Sequence, residues 1–262
     1  MSPALFMIPF TAKDLYNALP RTMIHQLQAF NRKQQFRPGL LSLLTNANHF
    51  TKRGIYKGII RHASACKGIV LDVGCGNKPY RDLFIADEYI GIDINNPAHD
   101  HSNEPVDVIY DGRNIPFPDN RFDSVFSSEV FEHVFQPEEL LREMHRVLKP
   151  GGKLLMTLPF VFMEHEQPYD FARYTSFGIR SLLERNGYEI HSIERSSTFL
   201  QATTVLVANY IHHALLPRNK YLRFPLSFVT IGAVNLLGGL LSMALPDQRD
   251  LCLNHIVVAA KK

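Results

Sequence analysis

The sequence predicts an α/β fold built on a Rossmann-like, doubly wound parallel sheet with flanking helices. Three observations support this prediction. Short apolar segments rich in β-branched residues, such as 69–73, are typical of strands that are buried on both faces. Amphipathic stretches with helical spacing alternate with these segments along the chain. A glycine-containing turn follows the first segment, and α/β proteins bind ligands at such turns because glycine lets a ligand approach the backbone.

Length and composition limit the possible functions. The chain of 262 residues suits one α/β domain with additions, or at most two domains. Its 45% hydrophobic and 20% charged residues argue against disorder, and a net charge of +3 is too small to indicate nucleic acid as a partner. Cys66, Cys75 and Cys252 show no C-x-x-C spacing, which predicts neither a disulfide framework nor a zinc site. The N-terminus lacks a basic leader with a long apolar core, so we expect no secretory signal and a reducing, cytoplasmic location.

The first strand and the turn after it form the central motif of the chain. The turn Asp72–Gly76 has two glycines, and the next strand, 89–93, ends on Asp93 about twenty residues later, where a carboxylate can bind ribose hydroxyls. Pro79 occupies the position of the third glycine in a dinucleotide-binding G-x-G-x-x-G turn. Asp72 would also place a negative charge beside a pyrophosphate. The turn therefore favours a cationic ligand.

The string Asp72-Val73-Gly74-Cys75-Gly76 resembles motif I of the class I S-adenosylmethionine-dependent methyltransferases. The resemblance extends from residue 68 to residue 188, through the branch called the methyltransferase type 11 domain. It implies S-adenosylmethionine as the cofactor and a seven-stranded sheet whose last strand is antiparallel, between strands five and six. Lys78 stands where motif I often has a further glycine, which predicts a loop of different shape.

The resemblance also implies a set of cofactor-binding residues. Asp93 would hold the ribose hydroxyls, and Asp111, beside Gly112, would meet the adenine amine. Asp72 would orient the turn and favour the positive charges of the cofactor, or would cap the loop, and both roles are compatible. The full predicted set is Asp72, Gly74, Cys75, Gly76, Asp93, Ile94, Asp111, Gly112, Ser128 and Glu129.

The remaining pattern predicts further elements in order. We expect helices at 18–30, from Pro79 onward, at Pro137–Leu148, and from a cap at Thr175 to Asn186, which Gly187 ends. Further strands are expected at 106–110, 122–127, 153–158, 188–195 and 251–260.

Four regions follow from these elements: a basic N-terminal helical arm (1–67), the methyltransferase core (68–196), an apolar helical insert (197–249) and the last strand (250–262). The arm is expected to hold solvated helices beside the sheet, or to cover the cofactor or touch an anionic surface.

The insert replaces a short turn, and its segments 196–217 and 224–246 contain no Asp, Glu, Lys or Arg. We expect a helical lid that covers a lipophilic acceptor or lies in a membrane interface. A lid or dimer surface without a membrane role is the alternative, and a transmembrane span ranks third.

Candidate catalytic residues follow the fourth and fifth strands. His165 is the expected general base, with Asp170 to orient it. His133, in the family string EVFEHV, is either a base near the methyl group or a histidine bonded to backbone. Arg173 and Tyr174 are the expected substrate-binding residues, although Arg173 could instead pair with Asp170. No metal site is expected; His99 and His101 flank an acid but lack further ligands at a fixed spacing.

The sequence therefore predicts in-line transfer of a methyl group from S-adenosylmethionine, with oxygen of a lipophilic or glycan-linked acceptor as the first choice. A methyltransferase of a small soluble metabolite is the first alternative. A Rossmann oxidoreductase is disfavoured by Pro79 and Asp72, and a non-catalytic cofactor-binding scaffold at a membrane is the third. The expected location is the cytoplasm, with peripheral contact on the inner face of the membrane through residues 197–249 as an option.

Overall fold

The computed structural model describes residues 34–95 and 105–262. Seven strands form one sheet in the order β3-β2-β1-β4-β5-β7-β6. The strands are β1 (Gly68–Val73), β2 (Ala86–Ile94), β3 (Val108–Tyr110), β4 (Phe122–Ser128), β5 (Leu148–Pro159), β6 (Tyr188–Arg195) and β7 (Asn254–Lys261).

The first five strands are parallel, and β7 lies antiparallel between β5 and β6. This confirms the predicted doubly wound sheet with its antiparallel last strand. The carboxyl ends of β1 to β4 meet at one edge of the sheet, which is where such folds bind ligands. Some strand limits differ from the prediction: β3 begins later than residue 106, β5 begins earlier than residue 153, and β7 covers 254–261.

Two helices cover one face of the sheet. They are α3 (Pro137–Val147) and α4 (Ser176–Arg185), and both end within one residue of the prediction. The hydroxyl of Thr175 accepts the backbone N–H of Gly178 at 3.0 Å, and so caps α4 as expected. Leu141 and Met144 of α3 are fully buried in the main hydrophobic core.

The opposite face is covered by a helix of the arm, α2 (His49–Ala63). Its Ile55 and Ile59 pack with Phe126 of β4 in a second core. The helix predicted from Pro79 onward is wrong: only one turn of 3-10 helix, Arg81–Leu83, forms before β2. The physical reason is that α2 already occupies this face, and residues 74–85 leave room for little more than the turn.

The insert folds as two helices that pack on the arm. They are α5 (Phe199–Tyr210), which continues into a π-helical turn (Ile211–Leu215), and α6 (Lys220–Ala244). The two helices contact each other. Helix α6 also packs on the short arm helix α1 (Leu40–Thr45), and α5 packs on α2. The buried Asn235 amide donates to the carbonyls of Leu43 at 2.8 Å and Asn46 at 3.0 Å. Arm and insert thus form one helical layer.

Helix α6 is apolar on both sides. Within the described residues, Tyr221–Ala244 is the one helical stretch that is long and apolar enough to cross a membrane, and 28% of its most apolar window is buried. Ile231 lies inside the layer with 0% exposure, whereas Leu240 and Met243 are 64% and 85% exposed. The predicted helix at 18–30 and the His99–His101 loop lie outside the described residues.

Candidate functional site

A cavity of about 430 Å³ opens at the carboxyl ends of β1 to β4. Its volume lies within the range of roughly 300–1,000 Å³ that is usual for small-molecule sites. Eight of the predicted site residues line it: Gly74, Gly76, Asp93, Ile94, Asp111, Gly112, Glu129 and His133. The wall is completed by Tyr110, Arg113, Val130, Val134, Phe135, Gln136, Glu139, Leu140 and Glu166.

The glycine turn forms one wall of this cavity. Gly74 and Gly76 have φ values of 73° and 43°, in the left-handed region that glycine adopts without strain. The N–H groups of Gly74 and Cys75 both donate to the carbonyl of Ile92, at 2.9 and 3.1 Å, and so tie the turn to β2. A Cβ atom on Gly74 would lie 2.3 Å from a methyl group of Val130. The turn therefore requires glycine at this position.

Asp93 joins the turn to the end of β2. Its carboxylate accepts the N–H of Gly76 at 2.8 Å and the N–H of Ile94 at 2.8 Å. Because the side chain also lines the cavity, its carboxylate is held where the hydroxyl groups of a ligand can reach it.

Asp111 organises the next loop. Its carboxylate accepts the N–H groups of Arg113 at 2.8 Å and Asn114 at 2.7 Å, and these bonds lower the pKa of the carboxyl. Gly112 beside it has a φ of 78°. The carboxylate of Asp111 thus stays ionised on the cavity wall.

Two of the predicted cofactor residues lie beneath the wall. Asp72 is 3% exposed and accepts the hydroxyl of Tyr89 at 2.7 Å; burial raises the pKa of its carboxyl to about 7. Cys75 is also buried, and burial raises the pKa of its thiol. Asp72 therefore supports the turn from below, bonded to a tyrosine.

Lys78 takes the left-handed conformation of the glycine that it replaces, with a φ of 49°. Its ammonium pairs with Asp107, which also accepts the N–H of Gly91 at 2.7 Å. The loop is therefore anchored to the start of β3 by a charged contact that a glycine could not make.

Ser128 ends β4 and Glu129 follows it, but the two side chains point to different places. Glu129 lines the cavity, and its carboxylate accepts the hydroxyl of Thr157 at 2.8 Å and the amide of Asn254 at 2.7 Å. Ser128 does not line the cavity; its hydroxyl bonds to that of Thr157 at 2.8 Å. Glu129 thus links the cavity to β5 and β7.

The predicted catalytic residues form a cluster at one end of the cavity. The rings of His133 and His165 meet edge to face, 4.8 Å between centroids. Asp170 lies 3.1 Å from Nδ1 of His165 and accepts two bonds, at 2.6 and 2.7 Å, from Arg173. Burial lowers the pKa of His165, so its ring is neutral at neutral pH. The expected Asp170–Arg173 ion pair is present, and His133 also bonds to backbone, at the Tyr169 carbonyl.

Glu132 lies under this cluster and was not predicted as a site residue. It is 0% exposed, and neither carboxylate oxygen has a hydrogen-bond partner among the described residues. Burial, and next the nearby charge of Glu129, raise the pKa of its carboxyl well above the usual range. A buried acid without partners is rare and calls for a functional explanation.

Tyr174, predicted to bind substrate, instead packs against the main core, and it does not line the cavity. Among the described residues the insert contributes no side chain to the cavity wall either. Sequence reasoning also missed Glu166 and the apolar side of the cavity. Its Val130, Val134 and Phe135 lie in or beside the EVFEHV string, whose apolar residues were the one local signal.

The cavity suits the cofactor that the sequence resemblance implies. Two glycines without side chains let its amino-acid end approach the backbone, and two carboxylates on successive strand ends can accept from hydroxyl and amine groups. The cavity wall also carries more acidic than basic residues, which suits the positive charges of the cofactor. It has one arginine, Arg113, and five acids: Asp93, Asp111, Glu129, Glu139 and Glu166.

Comparison with known proteins agrees with this geometry. Residues 71–156 match the family described as "Methyltransferase domain". A Mycolicibacterium smegmatis protein named "Probable S-adenosylmethionine-dependent methyltransferase" is 31% identical over 143 residues, which are 50% of this chain and 56% of that protein. A phosphoethanolamine N-methyltransferase of Triticum aestivum is 29% identical over 144 residues, 50% of this chain and 26% of that protein. The chain thus spans little more than half the length of the first relative and about a quarter of the second.

The fold also matches solved structures. A SAM-dependent methyltransferase from Archaeoglobus fulgidus aligns with a TM-score of 0.51 at 19% identity, over 89% of this chain and 99% of that one. This likeness concerns the fold. The family match places a methyltransferase domain at residues 71–156, which contain the glycine turn and its two acids, and it agrees with the resemblance to class I methyltransferases, whose cofactor is S-adenosylmethionine.

Proposed function

We propose that this protein transfers a methyl group from S-adenosylmethionine to an oxygen atom of a lipophilic or glycan-linked acceptor. One observation carries the proposal: Asp93, the predicted ribose-binding acid at the end of β2, and His133, after the end of β4, line the same cavity. The bound cofactor supplies an activated methyl group. The protein then has to align acceptor and methyl group and exclude water.

The end of the cavity that holds His133 and Glu166 is the proposed acceptor position. A hydroxyl acceptor must lose its proton there, and His133 lies on the wall while His165 packs on its ring. Both histidines have Nδ1 near an oxygen atom, of Tyr169 and Asp170 respectively, which directs Nε2 of each ring away from those anchors. Nε2 of each ring is therefore available on the side that faces the acceptor's hydroxyl group.

The acceptor class is proposed from the insert. Residues 196–246 contain no Asp or Glu, and the exposed side of α6 carries a row of apolar residues that includes Leu237, Leu240 and Met243. An apolar helix face can bury its side chains in the interface of a membrane, and the absence of acids avoids repulsion by anionic lipid headgroups. We propose that this face rests peripherally on a membrane surface, from which a lipophilic acceptor can reach the cavity.

Three measurements test the proposal. Calorimetric titration with S-adenosylmethionine should show binding, and radiolabelled methyl groups should pass to lipid-linked hydroxyl acceptors in preference to small polar metabolites. Sedimentation with anionic phospholipid vesicles should pellet the protein, and Leu237→Glu with Leu240→Glu should reduce pelleting several-fold. The matched control is Ile85→Glu, because Ile85 is 74% exposed but lies outside the insert. Equal pelleting of all variants, or turnover of soluble metabolites alone, would favour the soluble-metabolite alternative.

A further inference from the structure

We propose that Glu132, His133 and His165 bind a divalent transition-metal cation, with Zn²⁺ as the best match, at the acceptor end of the cavity. One ligand atom from each of the three side chains lies within 4.8 Å of the other two. Tetrahedral Zn²⁺, with bonds of about 2.0–2.1 Å, requires neighbouring ligand atoms roughly 3.4 Å apart. Side-chain movements of about 1 Å would therefore complete the site. Two histidines and a glutamate are a ligand set of catalytic zinc.

The orientation of His133 prepares it for this role. Its Nδ1 lies 2.8 Å from the carbonyl of Tyr169, and since a carbonyl only accepts, Nδ1 carries the proton. Nε2 then has its lone pair free and lies 3.9 Å from Oε1 of Glu132. A ligating histidine that donates its other N–H to a carbonyl or carboxylate is the usual arrangement around a metal.

His165 shows the same arrangement with a different partner. Its Nδ1 hydrogen-bonds the carbonyl of Met163 at 3.3 Å and lies 3.1 Å from the carboxylate of Asp170, which Arg173 holds by two bonds at 2.6 and 2.7 Å. Because both of these oxygen atoms only accept, Nδ1 carries the proton and Nε2 is left as the available ligand atom.

Glu132 gives an independent reason to expect a cation. Its carboxylate is fully buried, and both oxygens lack a hydrogen-bond partner among the described residues. A buried carboxyl without partners destabilises the fold, whether it is neutral or ionised. A cation between Glu132 and the two histidines would stabilise this carboxylate. The sequence did not predict the site because its ligands come from two loops with no fixed spacing.

The role of the ion rests on the proposed function. With three protein ligands the fourth position faces the cavity, because His133 lines the wall there. An acceptor hydroxyl bound at that position would be more acidic. Its O–H bond would break with the proton passing to Glu166, 3.8 Å from Nε2 of His133, and the oxygen would form its bond to the methyl carbon while the sulfur–carbon bond breaks. The products are the methyl ether, S-adenosylhomocysteine and the proton.

The test is binding of Zn²⁺ alone to the chelator-treated full chain, measured by equilibrium dialysis and metal analysis, with Co²⁺ absorption as a second readout. We expect one ion per chain, and at least about tenfold weaker binding in His165→Ala and in Glu132→Gln. His191→Ala is the matched control, because His191 is an exposed histidine that contacts Lys153 outside the site. Thermal melting of each variant checks that it is folded.

Uptake of Zn²⁺ to the same extent in the wild type and both ligand variants would mean binding at surface histidines and would overturn the proposal, as would no uptake. Binding of S-adenosylmethionine is measured on the same metal-free samples and should be unchanged in all variants. Full methyl transfer by the metal-free protein would overturn the role of the ion and leave the proposed methyltransferase function standing. If the metal-free wild type did not bind S-adenosylmethionine, that result would count against the proposed function and not against the metal site.

Discussion

The carboxylate of Asp93 accepts the backbone N–H of Gly76 at 2.8 Å, so the acid after β2 and the turn after β1 hold each other in place. The two elements that the sequence resemblance assigns to cofactor binding are therefore coupled before any ligand arrives. Such preorganisation reduces the conformational entropy that binding must offset.

The first prediction concerns this acid. Asp93→Ala removes both the proposed ribose contact and the bond to Gly76, and each charged hydrogen bond contributes about 1.5–3 kcal/mol. We expect the affinity for S-adenosylmethionine, measured by calorimetry, to fall by about tenfold to several hundredfold. Asp87→Ala is the control, because Asp87 is an exposed acid at the other end of the same strand. Undiminished affinity in Asp93→Ala would contradict the assignment of the cofactor site.

A second prediction concerns Gly74. In Gly74→Ala the new Cβ would lie 2.3 Å from Val130, at a φ of 73°. We expect a loss of about 2 kcal/mol or more in the free energy of unfolding, together with weaker cofactor binding. Urea denaturation measures the loss. Adding Val130→Ala should restore the free energy of unfolding that is lost through the clash. The loss that comes from the strained backbone at residue 74 should remain. If the double variant were no more stable than the single one, the clash would not be the cause.

The third prediction is a pH dependence of stability. Burial raises the pKa of Asp72 to about 7 in the folded state, against about 3.9 in an unfolded chain. Between these values the folded protein keeps a proton that the unfolded chain has released, so stability falls as the pH rises from about 4 to 7.

Asp72→Asn keeps an acceptor for Tyr89 but does not titrate. The free energy of unfolding of Asp72→Asn minus that of the wild type should therefore increase over this window, by about 4 kcal/mol at most. Urea titrations at pH 5, 6, 7 and 8 measure the difference, and a flat difference would show that Asp72 is not the titrating group.

The fourth prediction concerns the contact between arm and insert. Asn235→Ala removes both bonds to the backbone of α1 and leaves the carbonyls of Leu43 and Asn46 without this donor. We expect a loss of about 1–3 kcal/mol and faster amide hydrogen exchange in both α1 and α6. Thr230→Ala is the control, since its exposed hydroxyl bonds only within its own helix, to Leu226. Faster exchange confined to α6 would argue against a shared layer.

Local patterns predicted most of the fold and eight of the residues that line the cavity. The strand period, the Asp72–Gly76 turn and the acid at Asp93 are signals that lie within a few residues of one another, and the structure brings them to one cavity. The cap at Thr175 and the stop at Gly187 are equally local, and α4 has the predicted limits.

What the sequence could not predict depends on distant contacts. No local signal shows that α2 covers the face where a helix after Pro79 was expected, because which helix packs on a face is decided by tertiary contacts. The carboxylate of Glu132 meets His165 only because the loop after β5 returns over the end of β4. Tyr174 follows Arg173 in the sequence, yet the backbone turns its ring into the core, away from the cavity.

The layer formed by arm and insert has a consequence for how the chain is made. Leu43 and Asn235, which bond in the finished protein, are separated by 192 positions in the chain. At a synthesis rate of about 5–20 residues per second, the first partner would wait roughly 10–40 s for the second. During that time α1 lacks α6, the helix on which it packs, and the nascent arm is exposed to chaperones, to proteases and to the membrane that α6 is proposed to reach.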